Sequence, residues 1–465
     1  MILQQHYLGC LAQASYLIGE EGSKTAVIVD PRRDVDLYLD EAAKLGLTIR
    51  YVILTHFHAD FLAGHLELAE RTGAEILLGK QAEAEFPFRP VGDGDELVFG
   101  SVRLAFLETP GHTPEGISIL VYDLEQSAEA PHGVLTGDTL FVGAVGRPDL
   151  MASVGVTADE LARMHYRTLR EKLMTLPPET VLYPGHGPGS ACGKGMSSET
   201  TSTIGAQLAT NDALQPMDED AFVTLMTEGL PLAPAYFGYD AQLNRSQRRT
   251  LEDVLSETLK PLSWSDAARA IDDGAILLDT RSADAFASGH VPGAVHIGLG
   301  GQYASWAGTL LTPATPIVLL CDPQKEREAA TRLGRIGFDA VVGYVEGGMA
   351  SVPEDRRSER RYEPDELAAA LASSASAPLV LDVRRPPEWE NGHIDGALHV
   401  PLSQLEERLQ EIPRDRELVC VCKGGYRSSI AKSLLLRHGF ARLADMRGGM
   451  DAWPATPASG STGSA

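Results

Sequence analysis

The first half of the chain is built from short apolar runs set between turns and a few helical stretches. These runs are Thr25 to Val29, Tyr51 to Leu54, Val102 to Leu107, Ser118 to Tyr122, Gly133 to Leu135 and Val181 to Tyr183. Apolar runs this short read as β-strands rather than helices. Histidines or an aspartate follow several of them directly. A layered α/β sandwich over residues 1–245, with its site at the strand ends, is the expected architecture.

The second half has a different rhythm. Ile317 to Leu320 precedes a helical stretch from Arg327 to Ile336, and Leu418 to Val421 precedes another from Ser428 to His438. This β-α alternation predicts parallel sheets covered by helices. An internal repeat reinforces it. Asp279-Thr-Arg281, Gly289-His-Val-Pro-Gly-Ala294 and His296 recur as Asp382-Val-Arg384, Gly392-His-Ile-Asp-Gly-Ala397 and His399, at a constant offset of 103 residues from Asp279 to Asp382, Gly289 to Gly392 and His296 to His399. Glu346-Gly-Gly-Met349 likewise matches Arg447-Gly-Gly-Met450. Two homologous units are therefore expected, 246–355 and 356–455, meeting in the charged stretch from Ser351 to Glu363. The tail 456–465 is too small and polar to bury anything and is expected to be disordered.

Length and charge narrow the functional classes. A chain of 465 residues exceeds what one core supports and fits several domains. With 40 basic against 64 acidic residues the net charge is −24, which argues against a nucleic-acid backbone or an anionic membrane as partner. Nowhere do the roughly 18 consecutive apolar residues of a membrane span occur. No basic segment followed by a long apolar stretch opens the sequence, so a cytoplasmic location is expected. A homo-oligomer is left open. Five cysteines (Cys10, Cys192, Cys321, Cys420, Cys422) are too few and too scattered for a disulfide framework.

The candidate chemistry begins at Thr55-His56-Phe57-His58-Ala59-Asp60-Phe61, where a strand is expected to end. Three further segments sit in the same way after apolar runs: Thr109-Pro-Gly-His112, Thr136-Gly-Asp138 and Tyr183-Pro-Gly-His186. Glycine or proline beside each lets the chain turn and aim a side chain inward. Together these four ordered segments resemble the metallo-β-lactamase superfamily, in its glyoxalase-II-like and persulfide dioxygenase branch, over about the first 240 residues. The resemblance implies an αββα sandwich. In the dinuclear hydrolases of that superfamily one metal would take His56, His58, His112 and a shared Asp138, and a second would take Asp60, residue 61, His186 and Asp138. Residue 61 is Phe61, which cannot ligate.

Similarity to persulfide dioxygenases implies instead one iron(II) per chain on His56, His112 and Asp138, with zinc as the alternative metal. Three protein ligands leave positions open for a sulfur substrate and dioxygen. His58 and Asp60 would then orient ligands or receive a proton, or serve as ligands in the alternative arrangement, where His186 would also bind. Arg147, in Gly146-Arg147-Pro148-Asp149, is a candidate to anchor a carboxylate or organise the site wall. Cys192, in Gly189-Ser-Ala-Cys192-Gly-Lys194, is a candidate activated thiol beside a lysine, against the alternative of a buried inert cysteine.

The second repeat carries Cys422-Lys423-Gly424-Gly425-Tyr426-Arg427 between a strand and a helix. With Asp382-Val-Arg384 and Gly392-His-Ile-Asp-Gly-Ala397 upstream, it resembles the active loop of rhodaneses, C-x-x-G-x-R. Backbone N–H groups curled around Cys422, the helix start, Arg427 and Lys423 would stabilise a thiolate and its persulfide. Gly424, Gly425 and Tyr426 are the candidate substrate contacts. The first repeat has Leu320-Cys321-Asp322-Pro-Gln-Lys-Glu326-Arg327 at the equivalent place. Either Leu320 replaces the nucleophile or Glu326 replaces the arginine, so this unit is expected to be catalytically silent.

The resemblances imply oxidation of a small thiol persulfide by O2 to sulfite, coupled to sulfane-sulfur transfer with thiosulfate or sulfite at Cys422. A zinc thioester hydrolase of glyoxalase II type with appended sulfurtransferase domains is the first alternative. A non-enzymatic sulfur relay is the second.

Overall fold

A computed structural model of the chain describes residues 1–150, 155–230, 233–353, 356–373 and 377–454. The tail expected to be disordered, 456–465, lies outside the described residues. The chain divides into two compact units, Met1–Ser256 together with Thr331–Asp339, and the remainder from Glu257 onward. No helix among the described residues is long and apolar enough to cross a membrane.

The first unit holds two six-stranded sheets. One runs in the order Ile2–Leu8, Gln13–Glu20, Thr25–Val29, Thr48–Ile53, Glu75–Gly79, Arg89–Val91, antiparallel over its first three strands and parallel thereafter. The other runs Ser202–Thr203, Val181–Pro184, Gly133–Gly137, Ile117–Asp123, Val102–Glu108, Glu96–Phe99, with one parallel pairing, Gly133–Gly137 beside Val181–Pro184. The two-residue period of a strand splits its side chains between layers. Tyr16 and Ile18 join Phe106, Ile119 and Leu135 between the sheets, while Leu17 between them in sequence faces the other way, with Tyr38 and Leu68.

Each outer face is closed by helices. Val35, Tyr38 and Ala42 of the segment around Asp36–Lys44, and Leu68 of His65–Thr72, cover the first sheet. Ala162 and Leu169 of Ala158–Glu171, with Phe222 and Met226 of Glu219–Thr227, cover the second. The result is the αββα sandwich expected for this half.

The second unit contains two five-stranded sheets, parallel throughout and identical in strand order. The first runs Pro261–Leu262, Val341–Val345, Ile317–Leu320, Ile276–Asp279, Val295–His296. The second runs Arg360–Tyr362, Leu443–Met446, Leu418–Val421, Leu379–Asp382, Leu398–His399. The repeated sequence signature is one hydrogen-bonded assembly made twice. Arg281 binds Asp279 and donates to Gly289 O at 2.8 Å, while His296 Nε2 donates to Arg281 O at 2.9 Å. Arg384, Asp382, Gly392 and His399 reproduce these contacts, at 2.7 Å to Gly392 O and 2.9 Å to Arg384 O. The two repeats also touch each other: Ser429 Oγ lies 3.0 Å from His296 Nδ1, and Tyr426 Oη donates to Gly298 O at 2.7 Å.

Candidate metal centre and sulfur-transfer loop

The four histidine and aspartate segments emerge where strands end, His56 and His58 after Thr48–Ile53, His112 after Val102–Glu108, Asp138 after Gly133–Gly137 and His186 after Val181–Pro184. Gly137 at φ +50 makes the turn before Asp138, and a Cβ there would stand 2.3 Å from Thr55 Oγ1. Adjacent strand ends thus bring His56, His112 and Asp138 into one buried group.

The tautomers follow from the outer partners of each ring. Thr55 Oγ1 donates to Asp30 Oδ2 at 2.8 Å, so His56 Nδ1–H donates to that hydroxyl at 3.0 Å. His112 Nδ1–H donates to Arg147 O at 2.8 Å. Both Nε2 atoms are left facing Asp138 Oδ2, at 3.9 Å from His56 and 3.5 Å from His112. That carboxylate oxygen has no hydrogen-bond partner among the described residues. Burial, and His58 alongside, push His56 well below the usual imidazole range, which leaves a neutral ring with a lone pair to give. Two imidazole Nε2 atoms and one orphaned carboxylate oxygen, converging and each fixed from behind, form the donor set a metal ion needs.

The other oxygen of Asp138 is engaged. His186 Nδ1 donates to Oδ1 at 2.7 Å, and His186 Nε2 lies 2.9 Å from Asp60 Oδ2. Burial opposes the charged ring, but Asp138 and Asp60 outweigh it and raise His186 well above its ordinary value. Burial likewise works to raise the Asp138 carboxyl, but His186, His56 and His112 hold it well below the usual carboxylate range. Phe61 is fully buried, its ring 4.3 Å from that of His58 and 6.4 Å from that of His186. Apolar carbon therefore stands where the dinuclear pattern calls for a ligand. His58 Nε2 lies 3.1 Å from Asp30 Oδ1, off the hydrogen-bonding direction.

Cys192 closes a second buried group with Asp60 and His186. Burial raises its thiol well above the ordinary value, and Asp60 and Asp138 raise it further. The sulfur thus lies beside Asp60 and His186, while Lys194, the neighbour that suggested activation, is exposed. Of the two sequence readings of Cys192, this environment matches the buried neutral thiol. Arg147 is also buried. Its guanidinium grips Asp149 at 2.6 and 2.7 Å, and its carbonyl holds His112, so it builds the wall of the site.

In the second repeat, Cys422 is the residue following Leu418–Val421, and the helix Tyr426–Arg437 starts four residues later. Gly425 N–H donates to Cys422 Sγ at 3.1 Å, and the thiol faces Ser428 Oγ at 3.5 Å. Gly425 makes this turn at φ +87. Tyr426 is tied to the first repeat through Gly298, and Lys423 and Gly424 are exposed. Arg427 is gripped by both carboxylate oxygens of Glu388, at 2.6 and 2.7 Å.

Asp30 and Glu388 belong to no motif, though the sequence carries a signal for each. Asp30 follows the apolar run Thr25 to Val29 just as Asp138 follows its own strand. Glu388 falls between the two repeated signatures, where the first repeat has Ala285.

Comparison with known proteins agrees with this geometry. Residues 8–186 match the family model described as metallo-beta-lactamase superfamily, and residues 263–354 and 363–456 each match the rhodanese-like domain. A crystal structure of a metallo-beta-lactamase from Staphylococcus aureus subsp. aureus COL is 31% identical and covers 74% of this chain and 98% of its own, with a TM-score of 0.66. The chain belongs to the metallo-beta-lactamase superfamily. Two rhodanese-like domains follow its metallo-beta-lactamase domain. The human mitochondrial persulfide dioxygenase ETHE1 is 29% identical over 192 residues, 40% of this chain and 68% of that protein. A hydroxyacylglutathione hydrolase from Brucella abortus strain 2308 is 36% identical over 170 residues, 36% of this chain and 58% of that protein. The metallo-beta-lactamase domain is thus similar both to a dioxygenase and to a hydrolase.

Proposed function

We propose that the metallo-beta-lactamase domain is a mononuclear iron(II) persulfide dioxygenase and that the second rhodanese-like domain is a sulfurtransferase acting through Cys422. The observation that carries this reading is the convergent donor set of His56, His112 and Asp138. Beside it the place of a second-metal ligand is filled by Phe61, and Asp138 Oδ1 is occupied by His186. Similarity to persulfide dioxygenase ETHE1 supports the same choice.

In this reading His56, His112 and Asp138 hold the metal. Iron(II) bound there supplies the redox chemistry that lets dioxygen oxidise sulfur. The chain's own residues do the rest. The Thr55 hydroxyl and the Arg147 carbonyl take the Nδ1 protons of His56 and His112 and turn both Nε2 atoms toward Asp138, His186 keeps the Asp138 carboxylate ionised, and Phe61 offers no ligand to a second ion. The overall reaction consumes a thiol persulfide, one dioxygen and one water and gives the free thiol, sulfite and protons.

Cys422 takes the outer sulfur of thiosulfate, releasing sulfite, and its persulfide passes that sulfur to a small thiol; the reverse direction makes thiosulfate from sulfite. The Gly425 N–H and the start of Tyr426–Arg437 favour the anionic sulfur. The first rhodanese-like domain is silent in this scheme.

Metal analysis combined with an oxygen electrode tests the reading. About one iron per chain and oxygen uptake on glutathione persulfide are expected. A protein holding two zinc ions that cleaves thioesters and takes up no oxygen is instead the hydrolase.

A further inference from the structure

The loop bearing the H-x-H-x-D motif is held from outside the motif, by the helix Phe237–Arg245. This helix lies beyond residues 8–186, the stretch matched to the superfamily. Asn244, near its end, is fully buried. Its Nδ2 donates to the carbonyl oxygens of His58 and Phe61, each at 2.8 Å, and its Oδ1 accepts from Ala63 N–H at 2.9 Å. Immediately before the helix, at its N-cap, Tyr236 Oη donates to Asp60 O at 3.4 Å. The carbonyls of His58, Asp60 and Phe61 are thus all taken by two side chains of one segment.

The chemistry explains the choice of residue. A chain leaving a sheet loses its ladder partners, and buried carbonyls then need donors from elsewhere. Asparagine offers two donors and an acceptor from one planar group, enough to fix two carbonyls and an amide at once. Aspartate would turn acceptors toward acceptors, and leucine would leave all three backbone groups unpaired.

We propose that Asn244 is the positioning residue of the metal centre. By fixing the backbone at residues 58, 61 and 63 it sets the direction in which His56, His58 and Asp60 point, and it presses the Phe61 ring onto His58. The inference rests on the reading that His56, His112 and Asp138 hold a metal. Loss of Asn244 leaves the strands and both cores intact but lets the ligand loop relax, so the effect falls on metal binding before it falls on the fold.

The test is cobalt(II) titration of the full-length protein stripped with a chelator, comparing wild type, Asn244→Ala and Asn244→Ser. Near-ultraviolet circular dichroism reports whether each variant is folded, and thiosulfate sulfurtransfer reports the rhodanese-like domains alone. Cobalt affinity in Asn244→Ala is expected to fall by about 10- to 100-fold, the usual consequence of removing an outer partner of a metal site, with a changed visible spectrum. Asn244→Ser keeps a single donor and should fall between; if the alanine variant does not fold, the serine variant carries the comparison. A folded variant with wild-type affinity and spectrum overturns the role of Asn244 while leaving the metal reading intact. Wild type that binds no cobalt removes both.

Discussion

Asp138 divides its two oxygens between two tasks, one turned to His56 and His112 and the other accepting from His186, and the turn that carries it is propped from beneath. His165 Nε2 donates to the carbonyl of Thr139, the next residue, at 2.7 Å. Burial lowers His165 to about 4, although the Thr139 carbonyl works the other way. The unfolded chain binds a proton at this ring near the ordinary histidine value and the folded protein does not. Stability from His165 is therefore complete above pH 6.5 and declines as the pH falls toward 4. For a fully buried ring the loss amounts to about 2–3 kcal/mol between pH 7 and 4.5, at about 1.4 kcal/mol per pKa unit. Urea unfolding of the first unit at the two pH values should show this loss in wild type. In His165→Gln the drop should be smaller by that amount, and equal drops in both proteins would remove His165 as its source.

At the scale of elements, the two rhodanese-like loops share a backbone and differ in charge. Cys321 follows its strand as Cys422 does, and Gln324 adopts φ +70 where the other loop has Gly425 at +87. Gly348 approaches Cys321 O as Gly449 approaches Cys422 O. These correspondences align the loops through the cysteines, so Glu326 stands in the place of Arg427. The partner is lost as well, since Ala285 replaces Glu388. Burial pushes the Cys321 thiol up to about 12; Thr280 opposes this, and the carboxylates of Glu326, Asp279 and Asp322 add to it. After incubation with thiosulfate, mass spectrometry of the intact fold should find the extra sulfur on Cys422 and none on Cys321. A stable Cys321 persulfide would make the first domain a second carrier.

The same elements show what the sequence could reveal. Six strands of the sandwich coincide with apolar runs, because each run ends in a visible turn. Ile2–Leu8, at a sheet edge and only half-buried, carries too many polar residues to stand out. Gln13–Glu20 is buried on both faces, so its polar ends Gln13 and Glu20 lie inside and its alternation is erased. The metal-ligand candidates were legible because each stands directly after an apolar run beside a turn residue, a pattern visible locally. Asn244 was not, because its role depends on a contact across 186 residues from His58.

For the whole molecule, joining the two chemistries has a stoichiometric consequence. Under the proposed function, Cys422 charged by thiosulfate would release one sulfite, and the thiol persulfide it then generates would yield a second on oxidation at the metal centre, returning the thiol. Thiosulfate with a catalytic amount of thiol should thus give two sulfites per dioxygen, whereas preformed glutathione persulfide gives one. Cys422→Ser should abolish oxygen uptake on thiosulfate and leave uptake on the persulfide unchanged, because no residue of the donor set His56, His112 and Asp138 belongs to the rhodanese-like domains. Chelation should do the opposite, ending all oxygen uptake while thiosulfate still charges Cys422. Tethering matters in between, since a shared chain raises the effective concentration of a reactive persulfide. Equal loss of both activities in Cys422→Ser would mean instead that sulfur reaches the metal centre only through the enzyme persulfide, and that the free thiol persulfide is not the true substrate.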